Sequence, residues 1–178
     1  VHNTSCTTDG TCSAFKMAAS GGAVIVTSIT VTESSASLNA DTELSNAVLI
    51  YDTDANYSNG TAGTFGTDAT FTSQAVTFTN AGLNIPNGST YYFYIRSDFI
   101  NGANNPTGGA TVNFQIANTT DVVSDGTESG TATLAGTTTV RPNVTDVTDS
   151  ALVDGGRNGE TFTITGTGFG IACGSISV

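Results

Sequence analysis

Apolar and polar side chains alternate with a period of two along most of this chain. Residues 23–32 set Ile25, Ile29 and Val31 against Ser28, Thr30 and Thr32, and Val76 and Phe78 alternate with Thr77 and Thr79. Val48 and Ile50 lie in a short run ending at Tyr51. Residues 91–98 place Tyr91, Phe93 and Ile95 opposite Tyr92, Tyr94, Arg96 and Asp98, and residues 111–116 alternate Val112, Phe114 and Ile116 with Thr111, Asn113 and Gln115. Such runs, rich in β-branched and aromatic residues, predict half-buried antiparallel strands. Helical periodicity is absent. The turn dipeptides Asn59-Gly60, Asn87-Gly88, Asn101-Gly102, Gly108-Gly109 and Asp125-Gly126 punctuate the runs. Seven or eight strands over residues 14–140 predict an all-β antiparallel sandwich, since each one-sided sheet must bury its apolar face against another.

Charge narrows the function. The 178 residues carry 15 acidic and 4 basic side chains, a formal net charge of -11. Four cations cannot supply the basic footprint that displaces counterions from nucleic acid, and anionic membrane surfaces are disfavoured on the same ground. Insertion into a membrane is not expected, because no apolar run approaches the roughly 18 residues a span requires. Charged residues make up only 11%, against roughly 25% in an ordinary soluble domain. Thr, Ser and Asn carry the solubility instead, which predicts a secreted structural protein, extracellular or at a cell surface. Cys6 and Cys12 flank a Gly-containing turn and are expected to form a disulfide in an N-terminal arm, residues 1–13. Closing that loop is worth ~2.4 kcal/mol in the chain-entropy model. Cys173 is left over, which suggests an intersubunit bond, a partner outside this sequence, or a buried thiol.

Residues 14–135 form the expected sandwich, 136–140 a Thr-rich linker without packing residues, and 141–178 a second unit. There Val144 and Val147 lead to Gly155-Gly156, then to residues 160–170, Glu-Thr-Phe-Thr-Ile-Thr-Gly-Thr-Gly-Phe-Gly. This stretch resembles the opening of an IPT/TIG immunoglobulin-like domain. The resemblance implies a second immunoglobulin-like sandwich, incomplete here because a full domain of that family is about twice as long. Either the polypeptide continues, or the missing strands come from a neighbouring subunit. The first unit, with "NAVLIYDTDAN", "TFTSQAVTFTNAGLNIPNGSTYYFYIRSD" and "GGATVNFQI", resembles repeat modules of large prokaryotic surface proteins. That implies an immunoglobulin-like stalk, adhesin or surface-layer building block.

Catalysis finds little support. His2, the sole histidine, sits beside the N-terminus, whereas a nucleophile–His pair needs an imidazole fixed by packing. We expect no enzyme. The turn from Asp52 through Asp54, Asn56 and Ser58 has alternate oxygen-bearing side chains that can converge on calcium. The competing reading is a plain turn whose Asp and Asn bond their own backbone. Lys16, the one lysine, lies between Phe15 and Met17; it is a solvated side chain or an isopeptide donor. Asn-x-Ser/Thr sequons occur at Asn3, Asn56, Asn59, Asn87, Asn118 and Asn143. Tyr92 and Tyr94, on the polar face of their strand, form an interface, a sugar platform or a surface covered by a neighbour.

Two functions follow as expectations. One is the structural subunit of an extracellular filament or surface assembly, a homopolymer joined by strand complementation. The incomplete sheet of the second unit, residues 141–178, would recruit a strand from residues 1–20 or 171–178 of a neighbour. The alternative is a stalk or ligand-binding module in a large secreted adhesin or surface-layer protein, its partners being neighbouring modules of the same polypeptide.

Overall fold

A computed structural model describes residues 14–54, 62–68, 70–100 and 110–130, together with the backbone of four strands beyond them. The chain folds as an all-β antiparallel sandwich. One sheet holds β1 (Ala14–Ala18), β6 (Thr90–Phe99), β3 (Leu44–Asp52) and β4 (Gly63–Asp68) in that order. The other runs β10 (Ala132–Thr133), β8 (Phe114–Ile116), β2 (Val24–Glu33) and β5 (Ala75–Ile85), with β9 (Val122–Ser124) also paired to β2. Ile29, Val31, Phe78, Leu49, Phe93 and Phe114 are fully enclosed between the sheets. Phe15, Phe93 and Phe65 form an aromatic file across three strands of the first sheet, stacked at 5.0 Å and then edge-on at 6.0 Å.

The period-two reading places most core residues correctly and fails at one point. Ile25 is 43% exposed, while Val26 takes the inward position. A bulge is the cause. The β2–β5 register shifts between Val26 and Ser28, so Val26 pairs Leu83 and Ser28 pairs Thr79. Three residues of β5, Asn80 to Gly82, stand against Thr27 alone on β2, so the inward phase of each strand changes there, leaving inward pairs Val26–Leu83 and Ile29–Phe78 on either side of the irregularity.

The bulge also fastens one side of the sandwich. Asn80, the first of its three unpaired β5 residues, accepts from Gly82 N at 2.9 Å and donates from Nδ2 to Phe65 O at 2.7 Å. Phe65 lies on β4, the outer strand of the opposite sheet, so this bond bridges the two sheet edges. Gly66 allows that approach, because a Cβ there would stand 2.9 Å from Thr79 O and 3.2 Å from Phe78 Cβ.

A second irregularity has no glycine. Ser73 and Gln74, between β4 and β5, both take positive φ, 53° and 64°. Thr72 and Ala75 exchange both main-chain bonds around them, a two-residue turn normally built with Asn-Gly. The strain is offset by the short helix α1 (Ala40–Glu43). Its Asp41 carboxylate accepts from Ser73 N at 2.9 Å and Gln74 N at 2.7 Å, and the Gln74 carboxamide accepts from Ala40 N.

The run at 111–116, expected as one strand, is two. Thr111 and Val112 form β7 and pair with β11 (Thr138–Thr139), whereas β8 pairs with β2. The pivot is Asn113, whose N–H bonds Glu33 Oε1 and whose carbonyl accepts from Ser34 N. Splits of this kind give eleven strand segments among the described residues between 14 and 140, more than the seven or eight anticipated. β11 falls within the expected linker 136–140. Beyond it, β12 (Asn143–Asp149) and β13 (Phe162–Thr167) pair antiparallel within the expected second unit.

The bridge between β4 and β5 makes a direct prediction. Gly66→Ala and Asn80→Ala should each destabilise by about 1–3 kcal/mol in denaturant unfolding, through overpacking and through loss of part-buried hydrogen bonds respectively. Gly22→Ala, where a Cβ meets nothing within 4 Å, should stay within about 0.5 kcal/mol of wild type. Equal costs at all three positions would contradict this assignment.

Candidate functional site

Opposite the fastened side, the sandwich is open. A groove of about 540 Å³ runs between β1 of one sheet and the β8–β9 margin of the other. Its apolar lining includes Phe15, Val26 and Ile116, which belong to the core, and the half-buried Met17, Val24 and Val122. The β1–β2 connection adds Ala19 and Gly22, the end of β9 adds Ser124 and the loop after it adds Gly126.

The two margins differ chemically. Ala19 N donates to Ser89 O at 3.1 Å, and Ala19 O accepts from Gly88 N at 2.8 Å. Ala19 therefore turns its peptide groups toward the β5–β6 turn. By the two-residue alternation of an antiparallel ladder, Phe15 and Met17 do the same toward β6, while Lys16 and Ala18 face their N–H and C=O groups outward. Among the described residues no strand takes those groups, so β1 is a bare edge. The β9 margin is blocked. Glu128 Oε1 accepts from Ser124 N at 3.0 Å and Ser124 Oγ at 2.7 Å, and Gly126 N donates to Ser124 Oγ. Asp125 exchanges bonds with Ile25, its N–H reaching Ile25 O and its Oδ1 accepting from Ile25 N at 2.7 Å. The Ser124 hydroxyl, assisted by backbone amides and opposed by slight desolvation, holds the Glu128 carboxyl below the usual carboxylate range.

The residues singled out from sequence are dispersed. Asp52 ends β3 fully buried, and its Oδ1 accepts from Thr53 N at 2.7 Å and Asp54 N at 3.4 Å. That is the bonding of a self-capping Asp turn. Asp54 is exposed; Asn56 and Ser58 lie outside the described residues. Among the described residues no three His, Cys, Asp or Glu side chains cluster, and no helix is long and apolar enough to cross a membrane. Lys16 is exposed and makes no ion pair or hydrogen bond from its side chain among the described residues. Tyr94 is buried and Tyr92 half-buried, so Tyr94 offers no open sugar platform. Asn87 and Asn118 are exposed, Asn118 at the groove margin. Asn143 begins β12. His2, Asn3, Cys6, Cys12, Asn56, Asn59 and Cys173 lie outside the described residues.

Sequence reasoning missed Glu33 and Glu128. Glu33 is 4% exposed; its Oε1 accepts from Ser35 N and Asn113 N, and its Oε2 has no hydrogen-bond partner. A single inward Glu closing an otherwise apolar alternation was the available signal. For Glu128, the Ser-x-x-x-Glu spacing just past a turn dipeptide was the only local clue. The chain matches no family model, curated protein or solved structure with which it was compared.

Two predictions arise here. Glu128 is more acidic folded than unfolded, so the latch on the β9 margin is present above the ordinary carboxylate value of about 4.3. It is lost as pH falls through the lower folded value. The protection factor of the Ser124 amide, taken against its intrinsic exchange rate at each pH, should fall in acid, and Glu128→Gln should flatten that dependence; an unchanged acid response in the variant would contradict the latch. For the Asp52–Ser58 turn, calcium should raise the melting temperature and EDTA lower it if an ion binds. A melt indifferent to both leaves Asp52 and Asp54 as turn formers only.

Proposed function

We propose that this chain is a structural subunit of an extracellular filament or surface assembly, joined to its neighbours by β-strand complementation. The observation that carries the proposal is the bare edge of β1 beside an open, apolar-lined margin of the sandwich. An incoming strand gains main-chain hydrogen bonds from Lys16 and Ala18 and buries its alternate side chains over Met17, Val24 and Val122. One strand satisfies both deficits. The weakly charged, Thr-rich composition supports an extracellular setting, as does the resemblance of residues 14–135 and 141–178 to surface-protein modules and IPT/TIG domains.

Topology gives the immunoglobulin-like reading partial support. The central pairs β2–β5 and β3–β6 are those of an immunoglobulin sandwich, in which the first strand joins the sheet of the second and the last joins the sheet of the sixth. Here β1 joins β6 and the later strands join β2, so the flanking strands are exchanged.

Purified chain should form polymers in negative-stain micrographs and sediment as a concentration-dependent series. Ala18→Pro removes an outward N–H without touching the β6 ladder. It should keep the wild-type fold and sediment as a monomer. A wild-type chain that stays monomeric at all concentrations would overturn the proposal in favour of a stalk module.

A further inference from the structure

We propose that the strand received by β1 is residues 171–178 of a second copy of this chain. The inference rests on the strand-complementation reading above and names its donor. The groove sets three requirements. Its lining needs one apolar face from the guest, and the small wall residues Ala19, Gly22 and Gly126 leave room for the side chains of that face. Its rim carries one carboxylate, Glu128, and one ammonium, Lys16, so the rim itself sets no sign, and it is the -11 charges of each chain that disfavour an acidic segment of a second copy. Its free edge, the five residues of β1, spans ~17 Å of extended chain.

Residues 171–178, Ile-Ala-Cys-Gly-Ser-Ile-Ser-Val, meet all three. The segment has no charged side chain and no Pro. Its period-two sets divide cleanly: Ala172, Gly174, Ile176 and Val178 fall on one face, and Ile171, Cys173, Ser175 and Ser177 on the other. The first face is apolar, with its two small residues together at one end. Eight extended residues reach ~26 Å, enough to cover β1. The other terminal stretch fails the same criteria. Residues 1–13 carry Asp9, and polar side chains fall on both faces, Asn3, Ser5, Thr7, Thr11 and Ser13 on one and His2, Thr4 and Thr8 on the other, so no apolar stripe is available to fill the margin. Residues 14–18, part of the terminal stretch first considered as a donor, are already committed to pairing with β6.

A complementation experiment with the 178-residue chain tests this. The donor-defective variant carries Ile176→Asp and Val178→Asp and keeps an intact groove; the acceptor-defective variant is Ala18→Pro and keeps an intact donor segment. Each should be monomeric alone. Mixed, they should form a 1:1 heterodimer by native mass spectrometry, at least tenfold tighter than the self-association of either. Circular dichroism melts of each variant alone establish that both are folded. Polymers from the Ile176→Asp, Val178→Asp chain would place the donor elsewhere and overturn the inference while leaving strand exchange standing. Wild-type polymers with no heterodimer from the mixture would overturn it as well. A monomeric wild type would remove the strand-exchange reading itself. If, in that monomer, the groove of the donor-defective variant alone accepts the synthetic peptide Ile-Ala-Ser-Gly-Ser-Ile-Ser-Val, the segment fills its own groove and the second copy is excluded.

Discussion

A two-sheet sandwich has two lateral margins, and everything distinctive in this molecule follows from closing only one of them. The closed margin depends on a single hydrogen bond and a missing methyl group. Asn80 Nδ2 reaches Phe65 O, and Gly66 lets β4 approach the backbone of Thr79. Asn80 can reach across because the β2–β5 bulge lifts it out of the ladder, so the irregularity that breaks the alternation also fastens the sheets. At the other margin the core simply runs out. Met17, Val24 and Val122 touch the core on one side and remain half-exposed on the other.

Unpaired strand edges invite association, and soluble proteins usually blunt them. This chain blunts some of its edges by different means. The β9 margin is held by Glu128 and Asp125, and β8 is covered by β10. β5 is kinked at Gly82, with φ of 133°. β1 is blunted only by its shortness and by the exposed edge lysine Lys16. Among the described residues, a lightly blunted edge beside an apolar margin is what the proposed strand exchange requires.

The sequence was most legible where local chemistry decides the outcome. Phe93 and Ile95, Val76 and Phe78, and Val112, Phe114 and Ile116 are buried as their alternation requires. Asn87-Gly88 forms the expected turn between β5 and β6, with Gly88 at φ 77°. Legibility ended where a distant partner overrides the local signal. Ile25 turned outward because β2 and β5 both change inward phase at the bulge, which neither strand reveals alone. Ser73-Gln74 carries no turn signature, since its strain is balanced by Asp41, 32 residues earlier. The run at 111–116 divides because Glu33 captures Asn113 N and holds the pivot. The groove was least legible of all. A bare edge is a property of strand order, and no residue of β1 announces which neighbour it will lack.

The measurement closest to the central claim is amide hydrogen exchange along β1, residue by residue, in monomeric and assembled protein. The account predicts alternation in the monomer, with Phe15 and Met17 protected by β6 and Lys16 and Ala18 exchanging freely. On assembly Lys16 and Ala18 should become protected while Phe15 and Met17 change little. Uniform protection of all four amides in the monomer would mean that the edge is already occupied. Assembly that leaves Lys16 and Ala18 exchanging freely would mean that subunits join through some other surface. Either result would contradict the account.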